Sequence, residues 1–340
     1  MSVFEGERVM AGPELQSPKQ LTMRRPQARL AAALALAASL AVPQTAPAQD
    51  APPSPATMVQ EVEVIALLPG PALWRVPTPS SQLWILGLDG PVPRGFQWDN
   101  RRVVTALDGA RELVVPPVAT GGLGDVFTLL AVLHPPRGQT VRGDLPPALA
   151  ARWEAAARAI GRDPAHYDHW RPVIAAGALS SDAQGHYGLN PAGPLLAVAV
   201  LAKNQHVKMR QLAAYKAGDL IRELGQTPPQ AGAACIALAV GMVEGLPVDA
   251  QRRAAAWATG DLKTLKAIDE TSNRGACLDG IPAVAAFRDR AAEDWAKALG
   301  QAMASPGKTV VAVNLDDLTR KGGLLDQLKA QGLEVIGPAY

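Results

Sequence analysis

Apolar and polar positions divide this chain into an opening stretch of short strands, a long helical middle and a closing stretch that returns to strand. Residues 62–68 alternate weakly between apolar and polar and predict an edge strand. Two apolar runs, 72–76 and 82–86, flank Pro77-Thr78-Pro79-Ser80-Ser81 and predict a β-hairpin. The second run enters a Gly/Pro-rich loop, Gly87-Leu88-Asp89-Gly90-Pro91-Val92-Pro93-Arg94-Gly95-Phe96-Gln97, closed by Trp98. A loop at the carboxyl end of a strand is where α/β proteins commonly place their chemistry. Asp99 is positioned to cap a helix through about residue 107, with Val103 and Leu107 on one face, and 112–115 is the next strand.

From about 118 to 303 the spacing turns helical. Leu149, Trp153, Ala156 and Ile160 follow a Pro146-Pro147 start signal, and the continuous Ala/Leu-rich run 195–202 predicts a buried helix. Further helical runs are 209–224, 231–244, 249–259 and 282–303, with Gly260-Asp261 a break and Asp261 the cap of the restart. The end returns to strand 309–313, an amphipathic helix marked by Leu324, Leu325 and Leu328, and a short closing strand 334–336. This tail mirrors the opening unit, and its loop, Asn314-Leu315-Asp316-Asp317, parallels Gly87-Leu88-Asp89-Gly90. The fold expected is therefore α/β: a central sheet built from N- and C-terminal β–α–β units, with a long, mostly helical insertion (about 118–303) between them. The loops 87–90 and 314–317 should lie near each other under a helical cap.

Composition supports a globular chain, with 48% apolar and 19% charged residues. Lys and Arg number 33 against 31 Asp and Glu, a balance that argues against a nucleic-acid surface. Upstream of the folded region the pattern is that of an export signal. Met23-Arg24-Arg25 and Arg29 form a basic segment, 30–42 is an Ala/Leu-rich apolar run, and Ala46-Pro47-Ala48 fits the small-x-small cleavage rule. The expectation is a signal peptide over 1–48 with its start at Met23, a Pro/Ala/Ser linker over 49–60, and a single domain over 61–340. The exported chain is expected in the periplasm or outside the cell, without a membrane span. Its two cysteines, Cys235 and Cys277, then pair most simply as a disulfide closing a loop of about 43 residues, the alternative being two buried free thiols.

The candidate chemistry is sparse. His166 and His169 have the i, i+3 spacing of a ligand pair, yet nothing nearby completes a zinc set; the alternative is a polar loop. If the two loops meet, Asp89, Asp316 and Asp317 form a carboxylate cluster suited to a hard divalent cation. The competing reading is that these aspartates cap helices and turns. Thr120-Gly121-Gly122-Leu123-Gly124-Asp125 loosely matches a phosphate-binding turn but reads better as a loop ending in an Asp125 cap. No G-x-S-x-G elbow is present. Trp74, Trp84 and Trp98 offer stacking surface for a sugar or peptide but sit where core packing is the simpler role. Arg94 is a loop arginine that an anion would attract, by default solvated.

Three segments resemble the TraB/GumN family, in particular its exported alphaproteobacterial members: Leu73-Trp74-Arg75-Val76, Trp84-Ile85-Leu86-Gly87, and Pro91 through Trp98. Ala256-Trp257-Ala258-Thr259-Gly260-Asp261-Leu262 resembles the family's W-x-x-G-D-L step, and Gly322 to Leu328 its closing β–α unit. The resemblance implies an α/β fold related to the Tiki, erythromycin-esterase and ChaN haem-binding group. In the family's metal-dependent peptidases two G-x-x-H motifs and an acidic residue form the site. Here Gly87 and Gly90 stand for the first motif, with glycine in place of histidine. Asn314 and Asp317 stand for the second, and the acidic position falls on Pro116. The resemblance thus implies the fold without the peptidase residues. The reading is a catalytically degenerate binding or assembly factor in the periplasm, with no cofactor expected and a periplasmic protein, peptide or saccharide as its partner. Two alternatives are a divergent metal-dependent hydrolase using the loop carboxylates, and a haem or metal carrier by fold analogy.

Overall fold

The computed structural model describes residues 70–134, 140–272, 277 and 279–340. The expected leader, the linker and the 62–68 strand lie outside the described residues. In chain order the elements are β1 Leu73–Pro77, β2 Ser81–Leu88, β3 Val92–Pro93, α1 Arg101–Leu107, β4 Ala110–Val115, β5 Val118–Thr120, α2 Leu123–Leu133, α3 Pro147–Ala159, a 3-10 turn Pro164–Tyr167, and α4 Pro172–His186. There follow β6 Leu189–Asn190, α5 Gly193–Asn204, β7 Lys208–Gln211, β8 Ala214–Lys216, α6 Ala217–Leu224, α7 Pro229–Thr259, α8 Leu262–Ser272 and α9 Pro282–Ala304. The chain closes with β9 Gly307–Asn314, α10 Leu315–Thr319 and α11 Leu324–Ala330.

The main sheet has the order β1-β2-β9-β4-β7. β1 pairs antiparallel to β2 as the expected hairpin, and the other four strands run parallel. The last strand of the chain is thus the middle of the sheet, which the opening and closing units build together as expected. Its sequence explains the position: Val310, Val311, Ala312 and Val313 are all buried, as a parallel strand covered on both faces requires. Successive side chains take opposite faces. Val311 and Val313 join Trp74, Val76, Leu83 and Ile85 against α9, α10 and α11, whereas Val310 and Ala312 join Leu73, Leu86 and Leu113 against α1 and α5. A separate helical core packs α3 and α4 on the first half of α7. Helix α7 joins the layers: Cys235, Ile236 and Val240 lie in the helical core, while Ala256 and Trp257 lie against the sheet. By length and composition α7 would reach across a bilayer, but here it is packed along α3 and α4 as a core helix.

Three local expectations are corrected. Residues 208–211 and 214–216 are not the start of a helix but the strands β7 and β8. β7 is a polar edge strand with no apolar alternation to betray it, and its Arg210 Nε donates to Glu112 Oε2 on β4 at 2.9 Å. The helices expected over 231–244 and 249–259 are one 31-residue helix that carries Pro247 in its interior. Burial of both halves of α7 in two cores outweighs the loss of one backbone bond at the proline. Residues 334–336 do not form a strand. Arg75 and Ile336 exchange backbone bonds of 2.8 and 2.9 Å as a single antiparallel bridge on the outer edge of β1, and the tail folds over Trp74, whose indole N–H donates to Pro338 O at 3.0 Å.

Elsewhere the local signals hold. Asp261 accepts the Thr264 N–H at 3.0 Å after Gly260 has ended α7 in the left-handed region at φ 70°. Asp99 accepts the Arg101 N–H at 3.1 Å, although the residue at the helix boundary is Asn100. Asp125 accepts the Gly122 N–H at 2.7 Å, so the 120–125 loop is a capped helix start.

Candidate functional site

The strands β2 and β9 end side by side, with Leu88 opposite Asn314, and so bring the two signature loops together as expected. Gly87 lies against the Leu315 side chain so closely that a Cβ there would overlap it, which accounts for glycine at this position. The chain then passes Asp89 and a cis Gly90–Pro91 bond into β3, which pairs with β6. At Gly90 a Cβ would stand 2.9 Å from the Pro191 carbonyl oxygen. Backbone from the β6–α5 connection therefore occupies the space into which a side chain would project.

What faces the first loop is Arg253. It lies on α7, is only 3% exposed, and reaches Asp89 through Nη1 at 2.7 and 3.0 Å. Its Nη2 reaches Asp269 on α8 at 2.5 Å. Burial alone would push the guanidinium pKa down; the attraction of Asp89 and Asp269 outweighs it and holds Arg253 above its ordinary value. One turn further on, the Trp257 indole N–H donates to Gly87 O at 2.9 Å, and Trp98 packs on Trp257 with ring centroids 5.1 Å apart. The first loop is thus tied to α7 by an ion pair and a buried hydrogen bond and roofed by two tryptophans. Sequence reasoning missed Arg253. The signal was present: Leu246, Ala250, Arg253 and Trp257 recur at helical spacing and all are buried, so a charge stands in an apolar stripe.

The second loop has a different environment. Asn314 is the N-cap of α10, with extended backbone at φ −60° and ψ 137°, and Asp317 lies in the first turn of that helix. Burial pushes the Asp317 carboxyl above its ordinary value, opposed by Arg320 at 3.8 Å. Asp316 points outward, 3.9 Å from Arg288, which also pairs with Asp279 at 3.2 Å. The structure does not gather Asp89, Asp316 and Asp317 into one group. Each loop carboxylate is turned to an arginine of its own, and among the described residues no three His, Cys, Asp or Glu side chains converge as a metal group would require. Pro116 lies in the break between β4 and β5, level with the break at Leu212-Ala213 between β7 and β8. His166 stacks on Tyr167 and Trp170, and His134 Nδ1 donates to the His169 carbonyl at 2.8 Å. Trp74 and Trp98 are packing residues, and Arg94 is exposed.

The raised Asp317 pKa sets a pH dependence. A carboxyl that is harder to ionise in the folded chain stabilises it while protonated, and that contribution is lost as pH rises from 3.8, the ordinary value, through the raised native value. Asp317→Asn is expected to be more stable than the parent at pH 7 and to lose that advantage below about pH 4. Thermal melts of both proteins from pH 3 to 8 check this; a parent more stable than the variant at pH 7 would show that the attraction of Arg320 outweighs burial.

Fold and loops together define a class: an α/β protein with a mixed, mostly parallel sheet whose first and last units present paired loops at the carboxyl ends of adjacent strands, beneath a long helix. The model of the TraB/PrgY/gumN family matches residues 72–336, and the chain belongs to this family. No curated protein and no solved structure matches it.

Proposed function

We propose that this chain is an exported, catalytically degenerate TraB/GumN-like protein that acts in the periplasm as a binding or assembly factor, with one domain from about residue 61 behind a leader and linker. The observation that carries the reading is Gly90 against the Pro191 carbonyl, beside an Asp89 engaged by a buried arginine. A permanent guanidinium occupies the cation's role next to the first loop, and in the second loop Asn314 caps a helix whose Asp317 lies 3.8 Å from Arg320. Both motif positions are used for structure. The partner is a periplasmic protein, peptide or saccharide.

Metal analysis tests the reading. The purified protein is expected to carry no stoichiometric metal, and titration calorimetry with Mn²⁺, Zn²⁺ and Ca²⁺ to give no saturable heat. Stoichiometric metal, together with a peptidase activity lost in Asp317→Asn, would overturn it in favour of a divergent hydrolase.

A further inference from the structure

The outer edge of the sheet carries the beginning of an added strand. β1 ends the sheet, and on its open side the closing segment 333–340 runs antiparallel to it. Arg75 donates its N–H to Ile336 O at 2.8 Å and accepts the Ile336 N–H at 2.9 Å. Alternate residues of an antiparallel strand turn their backbone groups to the same side, so Leu73 and Pro77 share the outward phase of Arg75. Pro77 has no N–H, and the usable edge is Leu73 and Arg75. The register sets Pro338 opposite Leu73. Pro338 has no N–H to give to that pair, and its carbonyl accepts from the Trp74 indole at 3.0 Å. The closing segment thus makes one residue pair where the edge has room for two.

Side chains define what fits there. Val335 packs on the cluster around Trp74, and a Cβ on Gly337 would overlap the Trp74 ring. A strand on this edge therefore needs an apolar residue and, two positions later, a glycine. The rest of the hold on the segment is exposed to water. The Tyr340 hydroxyl donates to Asp326 Oδ1 at 2.9 Å, and Lys329 Nζ lies 4.2 Å from the Tyr340 ring centroid. Ile336 is 40% exposed and Tyr340 37%.

We infer that the outer edge of β1 is an addition site for an extended peptide with an apolar-x-Gly step, and that residues 333–340 occupy it as a built-in competitor. Strand addition draws affinity from main-chain bonds and selectivity from alternate side chains, and this edge supplies both. A peptide with any residue but proline after the glycine completes the second pair at Leu73, which the chain's own segment forgoes. The site serves the peptide class of partner proposed above and rests on that reading for its ligand alone. The metal measurements that test the loss of catalysis do not bear on it.

The probe is a fluorescent nonapeptide with the sequence of residues 332–340 carrying Pro338→Ala, titrated against the full chain by anisotropy. The parent is expected to bind it weakly, because its own segment competes. Tyr340→Ala loosens that segment without touching β1 and is expected to bind the peptide about tenfold tighter. Pro338→Ala in the chain itself completes the internal pair and is expected to bind about tenfold more weakly than the parent. Arg75→Pro removes the outward N–H, keeps the ladder to β2, and is expected to abolish binding. A peptide that also carries Gly337→Val is expected not to bind. No saturable binding to Tyr340→Ala, or an affinity that neither Tyr340→Ala nor Pro338→Ala moves, overturns the inference. Binding that survives in folded Arg75→Pro overturns this edge as the site while leaving a peptide as the partner.

Discussion

Replacing Arg253 with methionine is expected to lower the unfolding free energy by about 3–5 kcal/mol, the cost of removing one partner from a buried ion pair. Methionine keeps most of the apolar stem, so the loss is electrostatic rather than a cavity. The burden falls on Asp89, whose side chain is 14% exposed against 42% for Asp269. Asp269 can rehydrate on the surface of α8, whereas Asp89 loses the guanidinium contact in a less solvated position. The variant Asp89→Asn/Arg253→Met should therefore recover a sizeable part of the loss, and Asp269→Asn/Arg253→Met much less. Urea denaturation followed by tryptophan fluorescence measures all of these, because Trp257 sits one turn from the substituted residue with Trp98 packed on it. Arg253→Lys should fall between, since a single ammonium cannot bridge two carboxylates as the guanidinium fork does. A loss below about 1 kcal/mol for Arg253→Met, the range of an exposed pair, would mean that the Trp257–Gly87 hydrogen bond alone holds the loop.

The position of Arg253 shows what was legible in the sequence and what was not. Strands with a strong period of their own were readable: the hairpin, the 309–313 run, and the mirrored loops that locate the two ends of the chain in one sheet. Helix punctuation was readable too, at Gly260-Asp261 and at Asp125, because the capping chemistry is local. Two kinds of information were not. The polar edge strand β7 owes its conformation to the ladder with β4, which nothing in Lys208-Met209-Arg210-Gln211 announces. The partners of the loop carboxylates were likewise hidden. Asp89 and Arg253 are 164 residues apart, and only the packing of α7 across both cores makes them neighbours. Similar loops suggested a shared carboxylate site; distinct surroundings gave Asp89 the buried Arg253 of α7 and Asp317 the neighbouring Arg320. The charge inside the buried stripe of α7 was the available sign that a partner existed, though not which one.

Reduction of the Cys235–Cys277 disulfide is expected to cost about 4 kcal/mol in the chain-entropy model, a drop in melting temperature on the order of 10 °C. The bridge spans 42 positions, and both cysteines are buried in the helical core, so the cross-link closes a long loop where the chain is already packed. Melts with and without reductant, and of Cys235→Ala/Cys277→Ala, measure it; two thiols titrating in the unreduced, denatured protein would remove the bridge from the account. Combining this variant with Arg253→Met adds a test of the architecture. Residues 235 and 253 lie on the same helix, at roughly 1.5 Å of rise per residue about 27 Å apart, too far to interact directly. If α7 makes the two cores one cooperative unit, the two losses add to within about 0.5 kcal/mol. If the helical layer unfolds by itself, the disulfide loss appears in a separate earlier transition, and Arg253→Met leaves that transition unmoved. Additivity in a single transition is the expected result, because 31 residues of unbroken helix, with Pro247 at their centre, are buried in both layers.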